Sequence, residues 1–183
     1  MKIISGKYKG RKIFGYDING TRPTMDRVKE SLFSMLQEYL KGSICLDLFA
    51  GTGNLGLEAI SMGAKKVYFV DNNIKAIKTI KENILNFDIE KESIILKNDY
   101  KKALNYFNIN NIKFNIIFID PPYESNYIIE ALKKIEKYQL LENDGIVVCE
   151  SDTLEKIQYS EKFTCIKNKK YGNKYIEILQ YKC

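Results

Sequence analysis

Between Ile44 and Cys149, short apolar runs alternate with amphipathic segments, and this alternation narrows the fold more than any other feature of the chain. Ile44–Phe49, Val67–Val70, Ser93–Lys97, Phe114–Ile119 and Gly145–Cys149 read as strands. Between them, Asn54–Met62, Asn73–Phe87, residues 100–107 and residues 126–138 read as helices. In the second helix Ile74, Ile77, Ile80, Ile84 and Phe87 fall on one side. Apolar strands spaced by helices predict a mostly parallel sheet covered on both faces. Phe163–Lys167 and Lys174–Tyr181 follow as strands joined by the polar stretch Asn168–Asn173. With no helix between them they predict an antiparallel hairpin at one edge, completing seven strands.

Ahead of this pattern lies a basic extension, residues 1–41, which divides the chain from a main domain at 42–183. Residues 2–14 predict two short strands around the turn Gly6-Lys7-Tyr8-Lys9-Gly10, and residues 15–23 a loop. Thr24 is placed to cap a helix, with Asp26 in its first turn. Val28, Leu32, Met35, Leu36 and Tyr39 carry the helix to about Leu40, and Gly42 ends it. Charge divides along the same lines. The net +6 hides basic ends and an acidic middle, with lysine supplying most of the positive charge. Such a margin suits a polyanion and equally suits an ordinary solvated surface.

Several chemistries are excluded at once. There is no histidine in 183 residues, which removes His-dependent triads and the commonest zinc ligand. Cys45, Cys149, Cys165 and Cys183 are scattered, so neither a zinc site nor a disulfide framework is expected. No apolar leader or stretch of membrane-spanning length is present, so a reducing, cytoplasmic location is expected.

Two motifs carry chemistry. Asp47-Leu48-Phe49-Ala50-Gly51-Thr52-Gly53-Asn54-Leu55-Gly56 leaves a strand and opens a helix, and Gly51, Gly53 and Gly56 fit G-x-G-x-x-G. Asp71, twenty residues after Gly51 at the end of the next strand, is placed to hold ribose hydroxyls. Alone, this is a nucleotide or nucleoside site, and an NAD-binding oxidoreductase satisfies it too. The second motif, Asp120-Pro121-Pro122-Tyr123, follows the strand Phe114–Ile119. Two prolines fix the loop and remove two donors. What remains is a set of acceptors beside an aromatic ring, suited to a planar base with an exocyclic amine.

Together the motifs resemble class I S-adenosylmethionine-dependent methyltransferases that modify exocyclic amines. Thr21-Arg22-Pro23-Thr24-Met25-Asp26-Arg27-Val28-Lys29-Glu30-Ser31-Leu32-Phe33 and Ile4-Ser5-Gly6-Lys7-Tyr8-Lys9-Gly10-Arg11-Lys12 further resemble signatures of the RsmD family, from residue 3 to about 180. That resemblance implies a Rossmann-like class I methyltransferase fold. It also implies transfer of methyl from S-adenosylmethionine to N2 of a guanine in 16S ribosomal RNA, with S-adenosylhomocysteine as product. The partner would be the small subunit or its assembly intermediate. Asp47, Phe49, Gly51, Thr52, Gly53, Asp71, Asn72, Asp99 and Tyr100 would hold the cofactor, Asp71 at the ribose and Asp99 at the adenine. Asp99 reads equally well as a helix cap. Asp120, Pro121, Pro122 and Tyr123 would hold the target base. Arg22 and Arg27 would lie near the mouth, and Lys7, Lys9, Arg11 and Lys12 would contact phosphates. No metal is implied, and a monomer is expected. An adenine-N6 methyltransferase acting on DNA or RNA uses the same catalytic loop. A non-enzymatic RNA-binding assembly protein is the remaining alternative.

Overall fold

The computed structural model of the chain describes residues 1–15, 23–122, 125–152 and 157–182, without the side chains of residues 23–25 and 125. Twelve named elements run α1 (Pro23–Leu40), β1 (Ile44–Asp47), α2 (Asn54–Ser61), β2 (Lys66–Asp71), α3 (Ile74–Phe87), β3 (Ser93–Lys97), α4 (Tyr100–Ile109), β4 (Phe114–Ile119), α5 (Ser125–Lys137), β5 (Leu141–Ser151), β6 (Phe163–Tyr171) and β7 (Lys174–Tyr181). The sheet order is β3-β2-β1-β4-β5-β7-β6. The first five strands pair in parallel, while β7 lies antiparallel between β5 and the edge strand β6. The expected α/β architecture, including the edge hairpin, is therefore present.

Burial explains the layers. Along β4 and β5, alternate residues face opposite sides of the sheet. Ile116, Phe118, Ile146 and Val148 pack with α1, α2 and α3. Ile117, Ile119, Val147 and Cys149 pack with α4 and α5. A strand apolar on both faces has to lie in the middle of such a sandwich. The stripe of α3 seals one side through Ile77, Ile80, Ile84 and Phe87. Ile74, expected in that stripe, is 50% exposed, because it opens the first turn beyond the edge of the core.

Gly56 sets how closely α2 approaches the sheet. A Cβ there would stand 2.3 Å from Phe69 Cε1 and 2.9 Å from Val67 Cγ1. We expect Gly56→Ala to push α2 outward at a cost of about 1–3 kcal/mol. Thermal unfolding should register this as a loss of about 2–4 °C per kcal/mol. An unchanged midpoint would mean that the helix lifts freely.

The N-terminal extension departs from expectation. Its two strands reduce to one antiparallel bridge, Lys2↔Lys12. Side chains from the helices hold the arm instead. The Nζ of Lys29 on α1 donates to the Lys2 carbonyl (2.7 Å) and pairs with Glu58 of α2 (2.8 Å). Glu58 accepts the Ile4 amide at 2.8 Å, and Ser61 accepts the Tyr8 amide at 3.0 Å. At Gly6 (φ +79°) the arm lies so close to α2 that a Cβ would sit 2.0 Å from the Ser61 carbonyl oxygen. Asn83 of α3 accepts the Phe14 amide (2.7 Å) and donates to the carbonyls of Phe14 and Thr52 (both 3.0 Å). Asn83 thus ties Phe14 to the glycine loop. Helix α1 begins at Pro23, so Thr24 lies inside it rather than capping it. A proline at the first helical position loses no hydrogen bond.

Candidate active site

The carboxyl ends of the parallel strands bring most of the expected residues together. Asp47 ends β1, and its Oδ2 accepts the Gly56 amide at 3.0 Å. Burial pushes its carboxyl up to about 7, against that hydrogen bond and helped by Asp71. Between Asp47 and Gly56 the chain turns through Gly51 (φ +55°) and Gly53 (φ +82°). Gly53 sits at the start of α2 with no side chain capping the helix. The Ala50 amide donates to the Val70 carbonyl (2.9 Å), tying the loop to β2. Asp71 at the end of β2 accepts the Gly51 amide on Oδ2 and the Asn73 amide on Oδ1, both at 2.8 Å. Each oxygen keeps acceptor capacity for a ligand hydroxyl. Asn72 beside it is exposed, and Thr52 is buried.

Asp99 caps α4, accepting the Lys101 amide at 2.9 Å. Tyr100 donates its hydroxyl to Glu130 Oε2 (2.5 Å). Its ring centroid lies 5.2 Å from that of Phe49 and 5.5 Å from that of Tyr127. Phe49 is half-buried, so this aromatic cluster walls the same end of the sheet.

The two motifs adjoin across the β1–β4 pair. Asp47 is in register with Phe118, and the Leu48 amide donates to the Phe118 carbonyl at 3.1 Å. Asp120, two residues beyond Phe118, thus emerges beside the glycine loop. Burial and the nearby carboxylates push its carboxyl up to about 8, while Lys174 pulls the other way. Pro121 is half-buried and Pro122 exposed. Tyr123 and Arg22 lie outside the described residues.

The expected RNA contacts gather less well. Arg27 is exposed on α1. The turn bearing Lys7 and Lys9 lies at the carboxyl end of α2, where the Lys7 amide donates to the Ser61 carbonyl (2.8 Å). That is one helix length, about 12 Å, from the glycine loop. Lys7, Lys9 and Lys12 are exposed. Arg11 is engaged: its guanidinium donates to the Asn86 carbonyl and stands 4.6 Å from the Phe87 ring centroid.

Several supporting residues were not singled out from the sequence: Lys29, Glu58, Ser61, Asn83, Glu150 and Lys174. A usable signal existed for three of them. Lys29, Glu58 and Asn83 each sit among core-facing positions of their helices, where an uncompensated polar group is costly.

Comparisons with known proteins bear on the family and the fold. The model of the family described as conserved hypothetical protein 95 matches residues 1–180. A putative rRNA methyltransferase, YlbH, of Bacillus subtilis is 43% identical over 152 residues, covering 83% of each chain. Ribosomal RNA small subunit methyltransferase D of Haemophilus influenzae is 33% identical over 174 residues, covering 94% of this chain and 89% of its own. Among solved structures, a putative methylase from Haemophilus influenzae superposes with a TM-score of 0.83 at 29% identity, covering 100% of this chain and 98% of the other. The putative methyltransferase yhhF of Escherichia coli reaches 0.89 over the same shares at 23% identity, a likeness of fold.

Proposed function

Since this chain belongs to the RsmD family of S-adenosylmethionine-dependent rRNA methyltransferases, the family described as conserved hypothetical protein 95, we propose that it methylates the exocyclic N2 of a guanine in 16S ribosomal RNA. We further propose that it acts in the cytoplasm as a monomer on the small subunit or its assembly intermediate, with residues 1–41 as a basic arm on the methyltransferase domain, 42–183. The observation that carries the reading is the adjacency of Asp120 to the Asp47–Gly53 loop across paired strands.

The residues present fit the cofactor. Asp47, Asp71, Asp99 and Asp120 line the strand ends with carboxyl oxygens. Carboxylates there favour a ligand bearing sulfonium and ammonium charges and disfavour the pyrophosphate of a dinucleotide. The acceptors left on Asp71 suit a ribose diol, and the Phe49–Tyr100 wall suits a flat ring. When bound, S-adenosylmethionine supplies an electrophilic methyl and leaves as S-adenosylhomocysteine. Asp47, Phe49, Gly51, Thr52, Gly53, Asp71, Asn72, Asp99 and Tyr100 are the residues proposed to hold it.

The chain's own part is positioning. The guanine N2 lone pair is delocalised into the ring and is a weak nucleophile. Asp120 and the Pro121 carbonyl accept its two N–H bonds and turn the lone pair out of the ring plane. Tyr123 stacks on the base, with Pro122 fixing the loop. After transfer the nitrogen carries a proton too many, which leaves to Asp120 or to water. The target must first be unstacked from its RNA, with Arg22 and Arg27 beside the mouth.

Two expected results follow for the binding groups. Asp71→Ala should weaken S-adenosylmethionine binding by about ten- to a hundredfold by calorimetry, the scale of hydrogen bonds to a charged acceptor. Unchanged affinity would remove its ribose role. Replacing Lys7, Lys9 and Lys12 together with alanine should flatten the salt dependence of RNA binding by about two units of log–log slope. An unchanged slope would leave those lysines as solvated surface. Arg11 is kept because of its contacts with Asn86 and Phe87.

The product nucleoside tests the base assignment. Mass spectrometry of digested ribosomal RNA after reaction should show N2-methylguanosine. N6-methyladenosine instead would keep the catalytic loop and replace the target. Absence of any methylated nucleoside, with cofactor bound, would favour a non-catalytic assembly role.

A further inference from the structure

Asp120 stands in a row of charge that crosses four neighbouring strands. Phe118 of β4 is in register with Val148 of β5, and Val148 with Ile178 of β7. All three side chains face the α1 side of the sheet. Two residues further toward the catalytic end, Asp120, just past β4, and Glu150, still within β5, stand side by side, since Ile119 pairs with Cys149. Glu150 is in register with Ile176, and Lys174 stands two residues before it on β7. The period of two puts Asp120, Glu150 and Lys174 on the same face, with Asp47 at the end of β1. The Lys174 ammonium pairs with Glu150 Oε1, and the two side chains are only 36% and 13% exposed.

The charges in this row do not balance. Among the described residues, Glu150, Asp47 and Asp152 all act to keep Asp120 protonated, in addition to its burial, and Lys174 is the cation that opposes them. Burial also works against the Lys174 ammonium, yet Glu150 and Asp120 hold it charged. An amine brings two N–H donors to the catalytic loop. A protonated Asp120 would meet them with a donor of its own and lose the geometry that frees the lone pair.

We propose that Lys174, anchored by Glu150, is a positioning residue that favours the carboxylate form of Asp120 and aims it at the target amine. The proposal rests on Asp120 as the group that receives the amine. It assigns β7 a part in catalysis although it lies after the last parallel strand. It also explains a charged pair at that strand's catalytic end.

The test compares Lys174→Met, Lys174→Arg and Glu150→Gln with the unaltered chain. Single-turnover methyl transfer to small-subunit RNA is followed from pH 5.5 to pH 9.5 at saturating S-adenosylmethionine. Lys174→Met should move the acid limb of the profile upward by about one pH unit, a tenfold loss below the limb that is regained at high pH. Glu150→Gln should move it the opposite way, and Lys174→Arg should leave it in place. An independent readout is the carboxyl-carbon NMR titration of Asp120 in the cofactor-free protein, identified by its loss in Asp120→Asn. Its midpoint should shift in the same two directions. A pair that served only to staple β5 to β7 would lower rate and stability in both variants with the limb and the NMR midpoint unmoved. That result overturns the proposal, and Glu150→Gln, nearly isosteric, decides it even if Lys174→Met folds poorly. Full activity in Asp120→Ala, which keeps no acceptor, would instead overturn the reading of Asp120 on which it rests, whereas full activity with an unmoved limb in Asp120→Asn would overturn the proposal alone.

Discussion

Asp120→Ala should lower methyl transfer by about a thousandfold or more while leaving the fold and cofactor affinity in place. Placed acceptors that act on the reacting group contribute about 10²–10⁴ in rate. The chain has no histidine to stand in for it as a base. Asp120 lies just past Ile119, the last residue of β4, and outside the apolar core, so its removal leaves the core intact. Stability should hold or rise at alkaline pH. Burial has pushed the folded-state pKa from 3.8 to about 8. Between those values the folded state binds the extra proton, and stability declines as pH rises through that window. The alanine variant lacks that decline. Turnover at the normal rate with Asp120 gone would contradict the proposed mechanism.

Lys29→Met carries the largest structural effect. Lys29 and Glu58 are 5% and 0% exposed, and their charges meet at 2.8 Å. The same ammonium donates to Asn54 Oδ1 at 2.8 Å, at the first residue of α2. Removing it leaves the Glu58 carboxylate buried with only backbone amides from Ile4 and Ser5. Breaking one side of a buried pair costs about 3–5 kcal/mol, or roughly 10 °C in the unfolding midpoint for a chain of this size. Amide exchange of residues 3–13 should accelerate, because the hub joins that arm to α1 and α2. Lys29→Met combined with Glu58→Leu should recover much of the loss, since an apolar pair replaces a buried ionic one with little penalty. A midpoint lowered by less than about 2 °C, with the arm's exchange unchanged, would mean that the pair is dispensable.

The sheet and its covering helices are legible in the sequence because their signals are local. A largely apolar run as short as Phe114–Ile119 fits a strand covered on both faces better than a helix, and its ends match the structure residue for residue. The glycine loop was legible for the same reason, since strand, turn and helix start lie within one stretch of chain. Strand β5 ran longer than its apolar stretch because Leu141 pairs with Phe114 across an irregularity that only the folded sheet creates. Likewise β6 continues through Asn168, Lys169 and Lys170, where pairing with β7 overrides polar composition. The arm was misread in detail because side chains of α1, α2 and α3, far away in sequence, take the place of a partner strand. The contacts of Arg11 with the Asn86 carbonyl and the Phe87 ring join parts of the chain far apart in sequence, which no local pattern reveals. The Lys174–Glu150 pair depends on sheet order, which no local pattern reveals.

Methyl transfer from S-adenosylmethionine to ribosomal RNA at the Asp120 loop can be measured directly. The most direct measurement supplies tritiated cofactor with unmodified small ribosomal subunits, with their protein-free RNA, and with duplex DNA. Label should enter ribosomal RNA, from subunits or free RNA, up to one methyl per molecule, and should be absent from DNA. Label in DNA alone, or in none of the three with the cofactor demonstrably bound, would contradict the account.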